Sequence, residues 1–267
     1  MRDLRLELSF FLLAACASVL GHGLPTAGPT GFALRARDPG TLRIVTWNVG
    51  GAVDGQPQAL PDDGVAHVGE ILTELDADIV ALQELGSRRQ AGRLAQRLGS
   101  EWIARSSGRG LALLARTSLT MRRLDLGGRA QGARLSVRDQ PIVVTNVHAS
   151  AFDAEQRNEL LGRAADELQR SDQADLRILL GDLNLDVDLD KKRDLFSNRA
   201  HLDVETYNYV ARGLSDAARG RGATAEPDRR LDYVFVSPAV TILAAGPWKG
   251  RRGGGMDHDP VVVDLRP

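Results

Sequence analysis

GMDHDPVVVDL, residues 255–265, places an acid, an imidazole and a second acid (Asp257, His258, Asp259) directly ahead of the β-branched run Val261-Val262-Val263. Such a run reads as a buried strand. The polar triplet at its mouth is either a surface turn or part of a reaction centre. The same arrangement recurs outward along the chain. Leu42 to Asn48 reads as a strand that closes on Asn48. Ile79 to Leu82 is followed by Gln83 and Glu84, and Ile142 to Val147 ends on His148. Arg177 to Leu180 leads through Gly181 to Asp182 and Asn184, and Asp232 lies inside Leu231 to Val236. Any one of these groups reads most simply as a turn cap or a structurally satisfied side chain, and Asp232 has Arg229 and Arg230 as ready partners. Their coincidence at the ends of different strands is much harder to explain as independent caps. A rigid sheet fixes the groups it presents, so ligand sites collect there. Residues two apart in a strand share a face, which puts Asn146 with His148 and Asp182 with Asn184.

Between these runs the period changes. Gly110 to Ala115 is a further strand. Val65, Val68, Ile71, Leu72 and Leu75 have helical spacing, and Asp153 to Leu168 reads as an amphipathic helix with Asp153 as N-cap. Residues 186–222 are polar and irregular, with room for one helix. Many strands with few helices predict two stacked sheets flanked by helices rather than a simple doubly wound sheet.

Composition narrows the functional classes. Of 267 residues, 43% are hydrophobic and 26% charged, with a net charge of −1, so the overall basic footprint of a dedicated nucleic-acid binder is missing. Lys191, Lys192 and Lys249 are the only lysines among 34 basic residues; the arginine excess reads mainly as codon bias and only weakly as phosphate affinity. Aromatics at 4% leave few stacking platforms for single strands. The single cysteine, Cys16, excludes an intrachain disulfide. It follows Arg2, Arg5 and an apolar run, Leu8 to Ala15, that is too short to span a bilayer and resembles an export signal, although Asp3 and Glu7 are unfavourable there. Leu13-Ala14-Ala15-Cys16 resembles a bacterial lipobox, in which the cysteine is lipidated. A plain cleaved signal and an apolar segment of no special role are the alternatives. Residues 17–40, which include Gly21, Gly23, Pro25, Gly28, Pro29, Gly31 and Gly40, read as a flexible tether before a domain over 41–267. The expected location is therefore outside the cytoplasm: periplasmic, secreted, or anchored to the envelope through Cys16.

The runs ThrTrpAsnVal (46–49), AspIleValAlaLeuGlnGlu (78–84), ThrAsnValHis (145–148), GlyAspLeuAsn (181–184), ArgLeuAspTyrValPhe (230–235) and AspHisAspProVal (257–261) resemble the successive signatures of the endonuclease/exonuclease/phosphatase (deoxyribonuclease I-like) superfamily, in its order and spacing. The resemblance covers about residues 41–266. It implies a four-layer α/β sandwich, two face-to-face mixed sheets flanked by helices, and a Mg²⁺- or Mn²⁺-dependent hydrolase of phosphate esters. Carried over, it makes Glu84 the main metal ligand, with Asn48 and Asp257 beside it. Hard cations take oxygen ligands, which suits these types. Asp232 would orient His258, and Asp182 would position or deprotonate the attacking water, a task the family divides between this Asp and the terminal His. Asn184 and His148 would donate to non-bridging phosphate oxygens, His148 with a further role in protonating the leaving oxygen, and Asn146 would join the substrate-binding set. Met256 stands where many members carry serine. Asp259 adds a negative charge near His258 that would raise its pKa or attract a second cation.

The motifs build a phosphate-cleaving centre; loops choose what is attached to the phosphate. Export argues against genome repair, and the few tryptophans and lysines argue against sphingomyelinase and inositol-polyphosphate chemistry. DNA is the expected substrate of a monomeric nuclease with no protein partner. A phospholipid or small phosphodiester is the alternative, and an inactive binding module the remote one.

Overall fold

The computed structural model describes residues 31–53, 56–107, 109–116, 119–122, 126, 129–171, 176–190, 202–253 and 255–267. The expected export signal, Cys16 and the first part of the expected tether lie outside the described residues.

The chain begins with β1 (Leu42–Asn48), the short pair β2 (Gly51–Val53) and β3 (Gln56–Gln58), α1 (Gly64–Leu75) and β4 (Ile79–Gln83). Next come α2 (Arg88–Leu98), β5 (Ile103–Ser106), β6 (Ala112–Ala115), β7 (Leu119–Arg122), β8 (Ala130–Val137) and β9 (Gln140–His148). The remainder is α3 (Ala154–Gln169), β10 (Leu176–Asp182), α4 (Val187–Asp190), α5 (Leu202–Val210), β11 (Ser215–Asp216), β12 (Asp232–Val236), β13 (Thr241–Pro247) and β14 (Val261–Arg266).

Two six-stranded mixed sheets form, in the orders β13-β14-β1-β4-β6-β5 and β11-β12-β10-β9-β8-β7. One apolar cluster fills the space between them, with Ile44, Ile79, Val144, Ile178, Val234 and Val263. A second covers the outer face of the first sheet, where Val45, Trp47 and Val80 meet Val68, Leu72 and Leu94 of α1 and α2. A third joins Val143, Leu179 and Phe235 to Leu161 and Leu168 of α3. The result is a four-layer α/β sandwich. Central strands are buried on both faces, which is why β1, β4, β10 and β14 read as unbroken apolar runs rather than alternating ones. Each fully buried Val, Leu or Ile there contributes roughly 1.5–3 kcal/mol.

Asp153 caps α3 by accepting the Gln156 N–H at 2.9 Å. The elements without apolar runs come from weaker patterns: α2 buries little beyond Ala91, Leu94 and Ala95, and β13 begins exposed. Residues 31–40 correct the expected tether. Phe32 is buried and its N–H donates to Pro247 O at 2.7 Å, while Arg37 pairs with Asp76 and Asp78 at 2.7 and 2.6 Å. A polar, glycine-rich segment docks here because one aromatic and one guanidinium find partners on the first sheet's side of the domain.

Strand direction gathers the polar ends. β1 and β4 run parallel and present their C-terminal ends, Asn48 pairing with Gln83. β14 runs antiparallel to β1, so its beginning lies beside Thr46. In the other sheet Asp182 is in register with His148 of parallel β9 and with Asp232, the first residue of antiparallel β12. Residues that follow some strands and precede others therefore reach the same edge of the sandwich.

Candidate active site

Asn48 joins the sheets at that edge. Its Nδ2 donates to Glu84 Oε1 and to Asp182 Oδ2, each at 3.0 Å, and its Oδ1 accepts the Gly50 N–H at 3.0 Å. His148 Nε2 lies 3.3 Å from Glu84 Oε1 and 3.6 Å from Asp182 Oδ2. Glu84 sits in the left-handed region at φ 58°, as does Asn184 at φ 51°. Non-glycine residues seldom adopt this conformation, and such strain clusters at functional sites. Burial pushes the Glu84 carboxyl above its ordinary range, with Asp182 adding to it; the Asn48 hydrogen bond and His148 act in the opposite direction.

Asp232 is fully buried, and its Oδ2 accepts hydrogen bonds from His258 Nδ1–H at 2.7 Å and from the Thr224 hydroxyl at 2.7 Å. A carboxylate only accepts, so Nδ1 carries a proton and Nε2 faces the site. That Nε2 lies 4.0 Å from Asp182 Oδ2 and 3.8 Å from Asp257 Oδ1. Burial opposes a charge on the ring, yet Asp232, Asp182 and Asp257 outweigh it and hold the imidazole up to about 10. Burial also raises Asp232; the pair's proton belongs to the ring, which has three carboxylates around it.

Arg229 and Arg230 do not pair with Asp232. They bind Asp186 and Asp216, each at 2.6 Å. The Asn184 N–H donates to Asp182 Oδ1 at 3.1 Å, and its Nδ2 donates to Ala149 O at 3.2 Å. An amide NH₂ has two N–H groups, so one is left for a further acceptor.

Two residues are not brought to the site as expected. Asn146 is fully buried, with Nδ2 donating to Leu82 O and Ala112 O and Oδ1 accepting from Gln83 Nε2. It shares a face with His148, but that face points between the sheets, and only its last residue emerges. Asp259 is buried and held by Arg252 at 2.6 Å and Lys249 at 3.2 Å. Its charge is neutralised away from His258.

Sequence reasoning missed three residues. Thr224 accepts the N–H groups of Leu231 and Asp232, both at 3.0 Å, while donating to Asp232. A Cβ on Gly50 would lie 1.9 Å from Glu84 Oε2. A Cβ on Gly181, at φ +135°, would meet Val147 O at 1.9 Å. GlyAspLeuAsn made Gly181 visible in the sequence; Gly50, one residue beyond ThrTrpAsnVal, and Thr224 carried no such signal.

Glu84, His148 and Asp182 place one donor atom each within 4.8 Å of one another. Two carboxylates drawn to one amide repel each other unless a cation intervenes. Their hard oxygens, on a partly open wall, fit a Mg²⁺- or Mn²⁺-type ion that keeps several waters. Asn48 offers its nitrogen rather than its oxygen to them, and so acts as the bridge that holds the carboxylates. Asp257, with a side chain 43% exposed, stands at the rim by His258. The second group of donors, Asp182, Asp232 and His258, suits an orienting relay rather than a cation, because Asp232 Oδ2 already accepts from His258 and Thr224.

The family model described as Endonuclease/Exonuclease/phosphatase family matches residues 45–251. That match ends before Asp257 and His258, which the fold returns to the same centre. No curated protein matches the sequence. An AP endonuclease from Archaeoglobus fulgidus superposes with a TM-score of 0.66 at 18% identity, covering 83% of this chain and 98% of that one. TDP2 of D. rerio, complexed with single strand DNA product, gives 0.63 at 16% identity, covering 85% and 99%. A mannosyl-6-phosphatase of Bacteroides thetaiotaomicron VPI-5482 gives 0.59 at 16% identity, covering 84% and 99%. At these identities the likeness concerns the fold.

Proposed function

This chain belongs to the endonuclease/exonuclease/phosphatase family, and from that premise we propose that it is a divalent-metal-dependent phosphodiesterase acting on DNA. Its fold is a phosphoesterase fold shared with nucleases and a phosphatase. The observation that carries the activity is the hub at Asp182 Oδ2: one oxygen within 3.0 Å of Asn48 Nδ2, 3.6 Å of His148 Nε2 and 4.0 Å of His258 Nε2.

Glu84 and Asp182, with Asp257 at the rim, would hold Mg²⁺ or Mn²⁺, which supplies charge neutralisation at the phosphoryl group or leaving oxygen. An oxygen about 2.8 Å from both Asp182 Oδ2 and His258 Nε2 forms a triangle on their separation. That is a place for the attacking water. Asp182 accepts its hydrogen bond and proton. His258, held in orientation by Asp232, directs Nε2 at the same point. His148 and the remaining Asn184 N–H donate to the phosphate oxygens, where charge grows in the transition state. DNA as substrate is supported by the nucleases among the structural neighbours. Export, with Cys16 as the lipid-bearing residue, rests on residues 1–16 of the sequence.

The test is the purified protein with Mg²⁺ or Mn²⁺, against EDTA, on bis(p-nitrophenyl) phosphate, plasmid DNA, RNA, sphingomyelin and sugar phosphates. Metal-dependent hydrolysis of the first two is expected. Cleavage of none would leave a binding module, and exclusive hydrolysis of sphingomyelin or sugar phosphates would replace the DNA assignment.

A further inference from the structure

Residues 31–40 run along the first sheet from one edge of the sandwich to the other. At the edge away from the site, Arg37 pairs with Asp76 and Asp78, which lie between α1 and β4. Further along, Arg35 O accepts from the buried Arg43 guanidinium at 3.1 Å, and the same guanidinium lies 5.4 Å from the centre of the Phe32 ring. At the catalytic edge, Phe32 joins Trp248 in the apolar cluster on the outer face of the sheet, and its N–H donates to Pro247 O at 2.7 Å. The Gly31 N–H donates to Arg221 O at 3.1 Å. Backbone meets backbone here. A Cβ on Gly246 would stand 2.9 Å from Gly31 C, and one on Gly31, at φ +100°, would stand 3.1 Å from Pro247 O.

The two carbonyls held by this strap belong to the two segments that build the histidine relay. Arg221 stands three residues before Thr224, between Gly220 and Gly222, both at positive φ. A turn flanked by glycines restrains itself poorly, so an external bond to it matters. Pro247 ends β13 in register with Val261, and the next N–H, that of Trp248, donates to Pro260 O at 2.8 Å. The segments also meet directly. Asp259 N–H donates to Thr224 O at 2.8 Å, Glu226 N–H to Asp257 O at 3.0 Å, and Lys249 Nζ to Ala223 O. Thr224 holds Asp232, and Asp232 holds His258. A shift of either segment therefore moves His258 Nε2 relative to Asp182 on β10. Misplacement by about 1 Å, even from a change far from the chemistry, costs on the order of 10²-fold in rate.

We propose that Gly31 and Phe32 are positioning residues for the hydrolysis: the strap, seated by Phe32, sets segments 221–226 and 247–259 so that His258 meets the attacking water. This rests on the phosphodiesterase reading and deepens it. Phe32 lies on the outer face of the first sheet and acts through Pro247 and its neighbours. The segment ahead of β1 is thus part of the working enzyme rather than a spacer.

The experiment compares the full-length wild type with Phe32→Ala, Phe32→Leu, Gly246→Ala and Arg37→Ala on bis(p-nitrophenyl) phosphate with Mn²⁺. Phe32→Ala removes the seat, and Phe32→Leu keeps an apolar one. Gly246→Ala forces a methyl against the Gly31 backbone, and Arg37→Ala loosens the strap at the far edge. Phe32→Ala and Gly246→Ala are expected to lower kcat about tenfold or more with KM changed by less than about twofold, the pattern of impaired chemistry rather than binding. Phe32→Leu should recover most of the loss. Arg37→Ala should lower the melting temperature and keep wild-type kcat. Wild-type kcat in folded Phe32→Ala, an equal loss in Arg37→Ala, or a change carried by KM overturns the proposal; if Phe32→Ala does not fold, Gly246→Ala decides by the same criteria. Hydrogen exchange needs no turnover and separates this from the parent reading. Faster exchange in 221–226 and 247–259 of Phe32→Ala, with α3 unchanged, supports the strap even if no ester is cleaved. Unchanged protection of those segments, or equal acceleration in α3, defeats it.

Discussion

Asp232→Asn separates catalysis from folding at this site better than any other change. Asp232 is fully buried, with Oδ2 accepting from both Thr224 and His258, whereas its Oδ1 has no hydrogen-bond partner. An asparagine places its carbonyl oxygen where Oδ2 was, and its NH₂ replaces an oxygen that already lacked a partner. The number of unsatisfied buried polar atoms hardly changes. Burial had raised the aspartate's pKa, so removing the charge also relieves desolvation. Stability should therefore change by no more than about 1–2 kcal/mol, the scale of a single hydrogen bond. Function should respond differently. The largest attraction that holds His258 charged, up to about 10, is its interaction with Asp232. A positioned acid or base typically contributes about 10²–10⁴-fold, or roughly 2.7–5.4 kcal/mol at 1.36 kcal/mol per decade. We expect kcat on bis(p-nitrophenyl) phosphate to fall in that range while the melting temperature stays close to wild type. His258→Ala should fall similarly, and the double variant should be little worse than the worse single, because residues acting as a unit are non-additive. Both quantities are measured on the same preparations. A folded Asp232→Asn enzyme that keeps more than about a tenth of wild-type kcat would refute the relay.

Glu84→Gln keeps the shape but removes a charge; activity should fall about 10²-fold or more, with weaker Mn²⁺ binding by titration calorimetry, and unaltered Mn²⁺ affinity would mean the ligand is misplaced. Gly50→Ala forces a methyl into the Glu84 carboxylate, 1.9 Å away, so metal affinity and kcat should drop together while circular dichroism shows an intact fold; an enzyme of normal activity would show that Glu84 moves freely. Thr224→Val leaves two buried N–H groups without their acceptor, and an unfolding titration should show a loss of roughly 1–3 kcal/mol for each; wild-type stability would contradict the assigned network. If Cys16 is lipidated, wild type expressed in a bacterium should partition into detergent and Cys16→Ser should not, since each buried methylene adds about 0.8 kcal/mol of membrane affinity; identical partitioning of the two proteins removes the anchor.

The sequence by itself determined the layered fold and most members of the site. Val261-Val262-Val263, Ile79 to Leu82 and Leu179-Leu180 are apolar on both faces because helices cover one side and the opposing sheet the other. Glu84, His148, Asp182 and Asp232 were conspicuous because each interrupts or ends such a run. Tertiary structure decided which polar residues meet. Asn146 and His148 share a face in sequence, yet Asn146 is sealed between the sheets and His148 opens into a cavity beside Glu84. Asp259 and His258 are neighbours in sequence, but Arg252 and Lys249 hold the acid elsewhere. Thr224 gains its role only when β12 and the loop before it bring its hydroxyl to Asp232. Hydrophobic periodicity is a local property, readable one strand at a time. Hydrogen bonds and charge pairs depend on groups far apart in the chain, and only the packing of the two sheets fixes their distances.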